Sequence, residues 1–108
     1  MHIISRKALR DFWEIWPEAK TPLVAWFRVL ETGKFEGFNA LKAAFGSLDY
    51  VAPFTVFDIG GHKFRIVAAI HFNRQRLYIR RVYTHAEYDA WSEAMRKVKR
   101  KRNKRMKL

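Results

Sequence analysis

The residues most able to do chemistry lie near the end of the chain, in the stretch THAEYDAW at 84–91. His85 can exchange a proton near neutral pH, and Tyr88 lies three residues later, on the same face of any helix that forms there. A tyrosine can stack on a nucleobase or donate a hydrogen bond. The pair therefore predicts a proton-transfer site with an aromatic contact. The alternative is that both residues are structural: a histidine with its hydrogen bonds made at a helix N-terminus, beside a half-buried tyrosine.

Two arginines, Arg65 and Arg80, lie in the apolar segments that precede this stretch. Their planar, permanently charged guanidinium groups bind phosphate bidentately, and an arginine among apolar side chains needs an anion. They predict a phosphate site. The alternative is that they form structural salt bridges with Asp58 or Asp89.

The sequence does not favour a metal site or a phosphate-binding loop. The chain has no cysteine, and its four histidines lack the short spacings of metal ligands, so we predict no metal and no cofactor. Gly60-Gly61-His62-Lys63 lacks the spacing of a phosphate-binding loop and is interpreted as a turn.

The elements that position these residues follow from apolar spacing. Helical stripes predict one helix over 6–16, ended by Pro17, a second from Thr21-Pro22 to Gly33, and a shorter third from Phe38 to a cap near Gly46. Residues rich in β-branched and aromatic side chains predict strands at 2–5, 55–60, 63–70 and 77–83, with Gly60-Gly61 as a hairpin turn. A short last helix over 84–95 is predicted, with Ser5 and Thr84 as N-caps of the first and last helices and Glu87 completing a capping box.

The predicted fold class is α+β, with a three- to four-stranded, mainly antiparallel sheet backed on one face by two or three N-terminal helices. One domain would span 1–95, followed by a basic, flexible tail over 96–108. Strict alternation groups Leu77 and Ile79 with Arg81 and Tyr83, and places Tyr78, Arg80 and Val82 on the opposite face. The uncovered sheet face, carrying Lys63, Arg65, His71 and Arg80, is the expected ligand surface.

The charge is concentrated at the C-terminus. The 108-residue chain holds 22 basic and 10 acidic residues, a net charge of +12. Residues 96–108 contain nine of the basic residues and no acidic one, which leaves +3 on 1–95. Such a tail predicts a polyanion as partner, RNA or DNA rather than a membrane, unless it is only a solvated end. Basic residues interrupt any N-terminal signal segment, so we expect a cytoplasmic protein.

Four segments resemble the HigB family of bacterial toxins, within the wider RelE-like group. They are MHIISRKALRDFW, LKAAFGSLDYV, VFDIGGHKFRIVAAIHF and LYIRRVYTHAEYD. The resemblance implies a RelE-like fold and the toxin half of a toxin–antitoxin pair, an endonuclease that cleaves messenger RNA on the ribosome. It also implies an antitoxin with a helix-turn-helix domain, and operator DNA bound only through the toxin–antitoxin complex.

RNA cleavage without a metal uses the ribose 2′-hydroxyl as nucleophile and needs two proton transfers and a cation beside the phosphorane. We predict His85 for proton transfer, Arg65 and Arg80 for charge stabilisation, and Tyr88 for stacking or assistance. The predicted RNA-binding residues are Lys63, Lys42, Arg81, Arg100, Lys101 and Arg102. No second histidine is evidently paired with the first, so a non-catalytic RNA- or ribosome-binding module is the alternative.

Overall fold

The computed structural model describes the backbone of residues 1–106 and the side chains of residues 1–101. Four α-helices and five β-strands make up this part of the chain, and single 3₁₀ turns at Pro17–Ala19 and Phe72–Arg74 connect some of them. In chain order the elements are β1 (His2–Ile4), α1 (Arg6–Ile15), α2 (Lys20–Thr32), α3 (Phe38–Phe45), β2 (Leu48–Val51), β3 (Phe54–Ile59), β4 (Phe64–His71), β5 (Arg76–Thr84) and α4 (His85–Met106).

The strands form one mixed sheet in the order β1-β5-β4-β3-β2. Strand β1 pairs parallel to β5, and the other neighbours are antiparallel. The α+β class is confirmed, but the predicted count of three to four strands is wrong. The additional strand is β2, whose four residues are too few to show an alternation.

Helices α1, α2 and α3 cover one face of the sheet, as their apolar stripes predicted. Their fully buried leucines meet the inward residues of the central strands in one core, formed by Leu9, Leu23, Leu30, Leu41, Phe57, Ile66 and Leu77. Ser5 occupies the N-cap position of α1, as predicted, although its side chain makes no capping hydrogen bond.

Helix α4 crosses the opposite face of the sheet. Tyr88 packs there on Val56 and Val67 in a second, smaller cluster, with the ring of Trp91 next to it. The prediction that helices cover only one face of the sheet is therefore wrong. The prediction of a short last helix is also wrong, because α4 has 22 residues and continues past residue 95. Within residues 1–106 no helix has both the length and the apolar composition that crossing a bilayer requires.

A β-bulge in β5 corrects the predicted faces. Val67 pairs with Arg81, and the next residue of β4, Ala68, pairs with Ile79, so the register passes over Arg80. An extra residue in one strand reverses the alternation beyond it. Tyr83 therefore lies opposite Arg65, on the face of α4, and Val82 packs against the main core. The sequence alternation had placed Arg81, Tyr83 and Val82 on the wrong faces.

Candidate active site

Arg65 is the centre of the candidate site. Only 7% of the residue is exposed. Its Nε lies 2.7 Å from Oδ1 of Asp58, and its Nη1 donates to the carbonyl of Phe64 at 3.1 Å. Its Nη2 lies 3.3 Å from Nδ1 of His85, and its guanidinium carbon is 5.5 Å from the centroid of the Tyr88 ring. The structure thus joins three of the four predicted catalytic residues, Arg65, His85 and Tyr88.

Two local structures bring these side chains together. Asp58 and Arg65 are cross-strand partners in the β3–β4 hairpin, so their side chains leave the same face. Gly60 and Gly61 form the turn with φ of 61° and 58°, which glycine adopts without a steric penalty. At the end of β5 the predicted capping box is confirmed: the Thr84 amide donates to Glu87 Oε1 at 2.8 Å, and the Glu87 amide donates to Thr84 Oγ1 at 3.3 Å.

The first residue of α4 is anchored to the hairpin. The backbone amide of His85 donates to the carbonyl of Lys63 at 3.0 Å, which ties the start of the helix to the start of β4. His85 therefore reaches Arg65 although 20 residues separate them.

The two ring nitrogens of His85 have different neighbours. Nδ1 lies 3.3 Å from Nη2 of Arg65. Nε2 lies 3.2 Å from Oδ2 of Asp89, one helical turn further on. The His85 side chain is 56% exposed, so Nε2 and Asp89 are open to a substrate while Nδ1 is held from behind.

Tyr88 is a buried phenol in this arrangement. Burial, reinforced by the negative charge of Asp49, raises the pKa of the Tyr88 hydroxyl above its ordinary value, and a hydrogen bond to Ser92 and the charge of Arg65 only partly oppose this. The hydroxyl therefore stays protonated at neutral pH and can act as a hydrogen-bond donor.

From the sequence, Asp58 was considered only as a structural salt-bridge partner of an arginine, in the alternative to a phosphate site. Besides Arg65 it accepts a hydrogen bond from Ser47 Oγ, and its Oδ2 lies 3.1 Å from Nδ1 of His62. The salt bridge between Arg65 and Asp58 is thus present, and it coexists with the contact to His85.

A cavity of about 450 Å³ opens beside Tyr88, between α4 and β2. Charged side chains of both signs dominate its lining, which consists of Asp49, Tyr88, Asp89, Ser92, Glu93, Arg96, Lys97 and Arg100. Asp49 and Arg96 were not among the predicted site residues. Asp49 lies on β2, the strand that the sequence pattern did not reveal, and no local signal marked Arg96 within the basic tail.

Arg80, the fourth predicted catalytic residue, lies at the bulge rather than against His85. It is exposed, and its guanidinium carbon is 5.5 Å from the centroid of the Tyr78 ring. Arg81 is also exposed, and its Nη1 donates to the carbonyl of Arg80 at 2.9 Å. Lys63 is exposed beside His85, to which only its backbone carbonyl is bonded.

The other predicted RNA-binding residues are spread over the molecule. Lys42 is exposed on α3, in the helical layer on the far side of the sheet from α4. Arg100 lines the cavity, and Lys101 is exposed on α4. The side chain of Arg102 lies outside the described residues. Among residues 1–101, no three histidine or carboxylate side chains come together as metal ligands would.

Comparison with known proteins identifies the family. A sequence model of the family HigB_toxin, the RelE-like toxic component of a toxin–antitoxin system, matches residues 19–91. The chain is 43% identical over 99 residues to the mRNA interferase toxin HigB of Escherichia coli strain K12, covering 89% of this chain and 95% of that protein. The mRNA interferase HigB of Shigella flexneri matches to the same extent. The mRNA interferase HigB of Escherichia coli O6:H1 strain CFT073 is 30% identical over 102 residues, covering 92% of this chain and 99% of that protein.

These matches define the class of protein as the RelE-like toxic components of toxin–antitoxin systems. Within that class, the chain belongs to the HigB toxin family. The resemblance noted in the sequence is confirmed. A toxic component of such a system has an antitoxin as its partner.

Proposed function

We propose that this protein is an endoribonuclease that arrests translation by cutting messenger RNA on the ribosome. The observation that carries the proposal is the exposed imidazole of His85, held at Nδ1 by Arg65 and facing Asp89 through Nε2. Three relatives with 30% to 43% identity over most of the chain bear the name mRNA interferase, which supports the same conclusion.

The proposed reaction needs no metal. The 2′-oxygen attacks the adjacent phosphorus and loses its proton, the bond from phosphorus to the 5′-oxygen breaks, and that oxygen gains a proton. The products are a 2′,3′-cyclic phosphate and a 5′-hydroxyl. We assign one proton transfer to the imidazole of His85, because its Nε2 lies on the exposed side of the ring while Nδ1 faces Arg65. Tyr88 remains neutral and suits hydrogen-bond donation or stacking better than proton removal.

The role proposed for Arg65 changes with its surroundings. With 7% exposure and a carboxylate at 2.7 Å, it orients His85 rather than gripping a phosphate. The charge of the phosphorane would then be stabilised by an exposed cation, and we assign this role to Lys63, whose backbone carbonyl accepts a hydrogen bond from the amide of His85. Arg80 and Arg81 would hold flanking phosphates on the same sheet face.

Ribosome dependence is part of the proposal. In the described part of the chain, His85 has no second imidazole as a hydrogen-bond partner, and His62 bonds to Asp58 instead. An enzyme with one histidine for two proton transfers gains most from a substrate that the ribosome has already bent and positioned. We further propose an antitoxin with a helix-turn-helix domain as partner, and operator DNA contacted only through that complex.

The salt bridge between Arg65 and Asp58 also favours a second candidate, a non-catalytic module that binds RNA or the ribosome. In that case the arginine only stabilises the fold, and the exposed basic side chains of α4 provide the binding.

The deciding experiment is induced expression of the full chain with mapping of messenger RNA 5′ ends. His85→Ala should abolish both growth arrest and new 5′ ends, while Asn39→Ala, an exposed change on α3, should leave both intact. Purified protein with programmed ribosomes should yield 2′,3′-cyclic phosphate ends in the presence of EDTA. Arrest by His85→Ala at the wild-type level, without new 5′ ends in either protein, would establish the binding module instead.

A further inference from the structure

The end of β4 and the first part of β5 carry a strongly basic surface that lies outside the contacts of Arg65, His85 and Tyr88. From His71 to Arg81 the sequence contains four arginines and no acidic residue. We call these four residues the arginine strip, and they are Arg74, Arg76, Arg80 and Arg81. Each is exposed, and among the described side chains none of the four lies within ion-pair distance of a carboxylate.

An aromatic ring lies within the arginine strip. The Tyr78 ring centroid is 5.6 Å from that of His71, with the two planes at 85°, and 5.5 Å from the guanidinium carbon of Arg80. Its cross-strand partner on β4 is Ala69, whose methyl group is too small to cover a tyrosine ring. Tyr78 is only partly buried, so its ring is reachable from solvent.

The bulge concentrates the charge on this surface. Because the register passes over Arg80, two successive arginines lie opposite the single residue Val67. From Tyr78 the strand continues to His85 over seven residues, roughly 20 Å at the usual rise of a β-strand. The arginine strip therefore leads away from the candidate site over a distance of several nucleotides.

We propose that Tyr78 is a stacking platform for a base of single-stranded RNA, and that the arginine strip binds the phosphates on either side of that base. The proposal rests on the proposed function and names the part of the message held outside the cleavage position. Aromatic rings beside arginine forks are the usual means of binding single strands without reading their sequence. In the absence of RNA, Arg80 occupies the ring by a cation–π contact, and an incoming base would take its place.

A single strand fits this surface better than a duplex. Stacking on a side chain needs a base that is free of its neighbours, which single strands supply and A-form helices do not. Binding that is equal for duplex and single strand would contradict the platform and point to structured RNA.

The test measures RNA binding separately from cleavage. Full-length protein carrying His85→Ala is titrated into a fluorescein-labelled single-stranded RNA, and anisotropy gives the dissociation constant at several salt concentrations. Tyr78→Leu in this background should weaken binding by about 5- to 150-fold, as loss of one stacked base does. Tyr78→Phe should retain nearly all of the affinity because it keeps the ring.

The arginines have their own prediction. Arg74→Gln with Arg76→Gln should reduce the slope of log affinity against log salt by about 1.4, since each phosphate contact to a single strand contributes about 0.7. The matched control is Arg10→Gln with Arg28→Gln, two exposed arginines of the helical layer, which should leave the slope unchanged.

The outcomes separate this proposal from the proposed function. If Tyr78→Leu binds like its parent while wild type cleaves on the ribosome, the stacking platform is refuted and the nuclease stands. If Tyr78→Leu loses affinity but wild type produces no cleavage, the RNA surface stands and the nuclease is refuted. Urea unfolding of each variant verifies that the fold is retained, and Tyr78→Phe serves as the folded reference should Tyr78→Leu be unstable.

Discussion

Removing one partner of the salt bridge between Arg65 and Asp58 should destabilise the fold more than the net contribution of the pair would suggest. Two unit charges at about 3 Å attract by roughly 5 kcal/mol at an effective dielectric constant of about 20. Desolvation of both groups offsets much of this, because their side chains are only 8% and 18% exposed. Removal of one partner leaves the other charge buried, which costs about 3–5 kcal/mol when the burial is complete.

We expect different costs for the two single variants. Asp58→Leu leaves the more deeply buried Arg65 without an anion and should lower the free energy of unfolding by about 3 kcal/mol. Arg65→Met should cost less, about 2 kcal/mol, since Asp58 keeps its contacts with Ser47 and His62. The double variant should lose no more than the larger single loss, so the coupling energy should be at least about 2 kcal/mol.

The assay is equilibrium unfolding in urea, followed by the fluorescence of the four tryptophans. At a slope of about 1.5 kcal/mol per molar urea, Asp58→Leu should lower the midpoint by about 2 M. Single losses that simply add within about 0.5 kcal/mol in the double variant would refute the reasoning. A double variant that is stable yet causes no growth arrest would further support the role of Arg65 in orienting His85.

Two smaller effects follow from the same region. Because burial raises the pKa of Tyr88 in the folded state, its neutral form stabilises the fold below the ordinary tyrosine pKa of about 10, and that contribution is lost as the pH rises through the higher folded-state pKa. Unfolding free energies measured between about pH 9 and pH 11 should fall more steeply for wild type than for Tyr88→Phe, and parallel curves would contradict this. Glu87→Ala should cost about 1 kcal/mol by removing half of the capping box, whereas Glu87→Gln should retain most of the stability in the same urea assay, and an equal loss in both would show that the carboxylate charge matters more than the hydrogen bond.

Local signals in the sequence were sufficient for several elements. The stripes of α1 and α2, the hairpin turn at Gly60-Gly61 and the capping box at Thr84 each depend on residues within one or two turns of each other. Apolar periodicity and capping are decided by such neighbours, so the sequence could predict them. The arginine, histidine and tyrosine of the candidate site were predicted for the same reason, since their chemistry belongs to the residue type.

Other features depend on contacts between distant parts of the chain. Whether β5 contains a bulge is decided by which residues of β4 it pairs with, and only that pairing shows that Arg81 and Tyr83 lie on the sheet face covered by α4. The pairing of β1 with β5 joins opposite ends of the chain, and β2 exists because β3 lies next to it.

The sequence by itself determined the number of helices, the hairpin at Gly60-Gly61 and which residues have side chains suited to RNA chemistry, because each follows from side-chain type and short-range spacing. Only the tertiary structure decided that Arg65 faces both Asp58 and His85, that α4 covers the second sheet face, and that the arginine strip forms a separate surface. The physical reason is that charge pairing and burial are properties of the assembled sheet, where residues distant in the chain become neighbours.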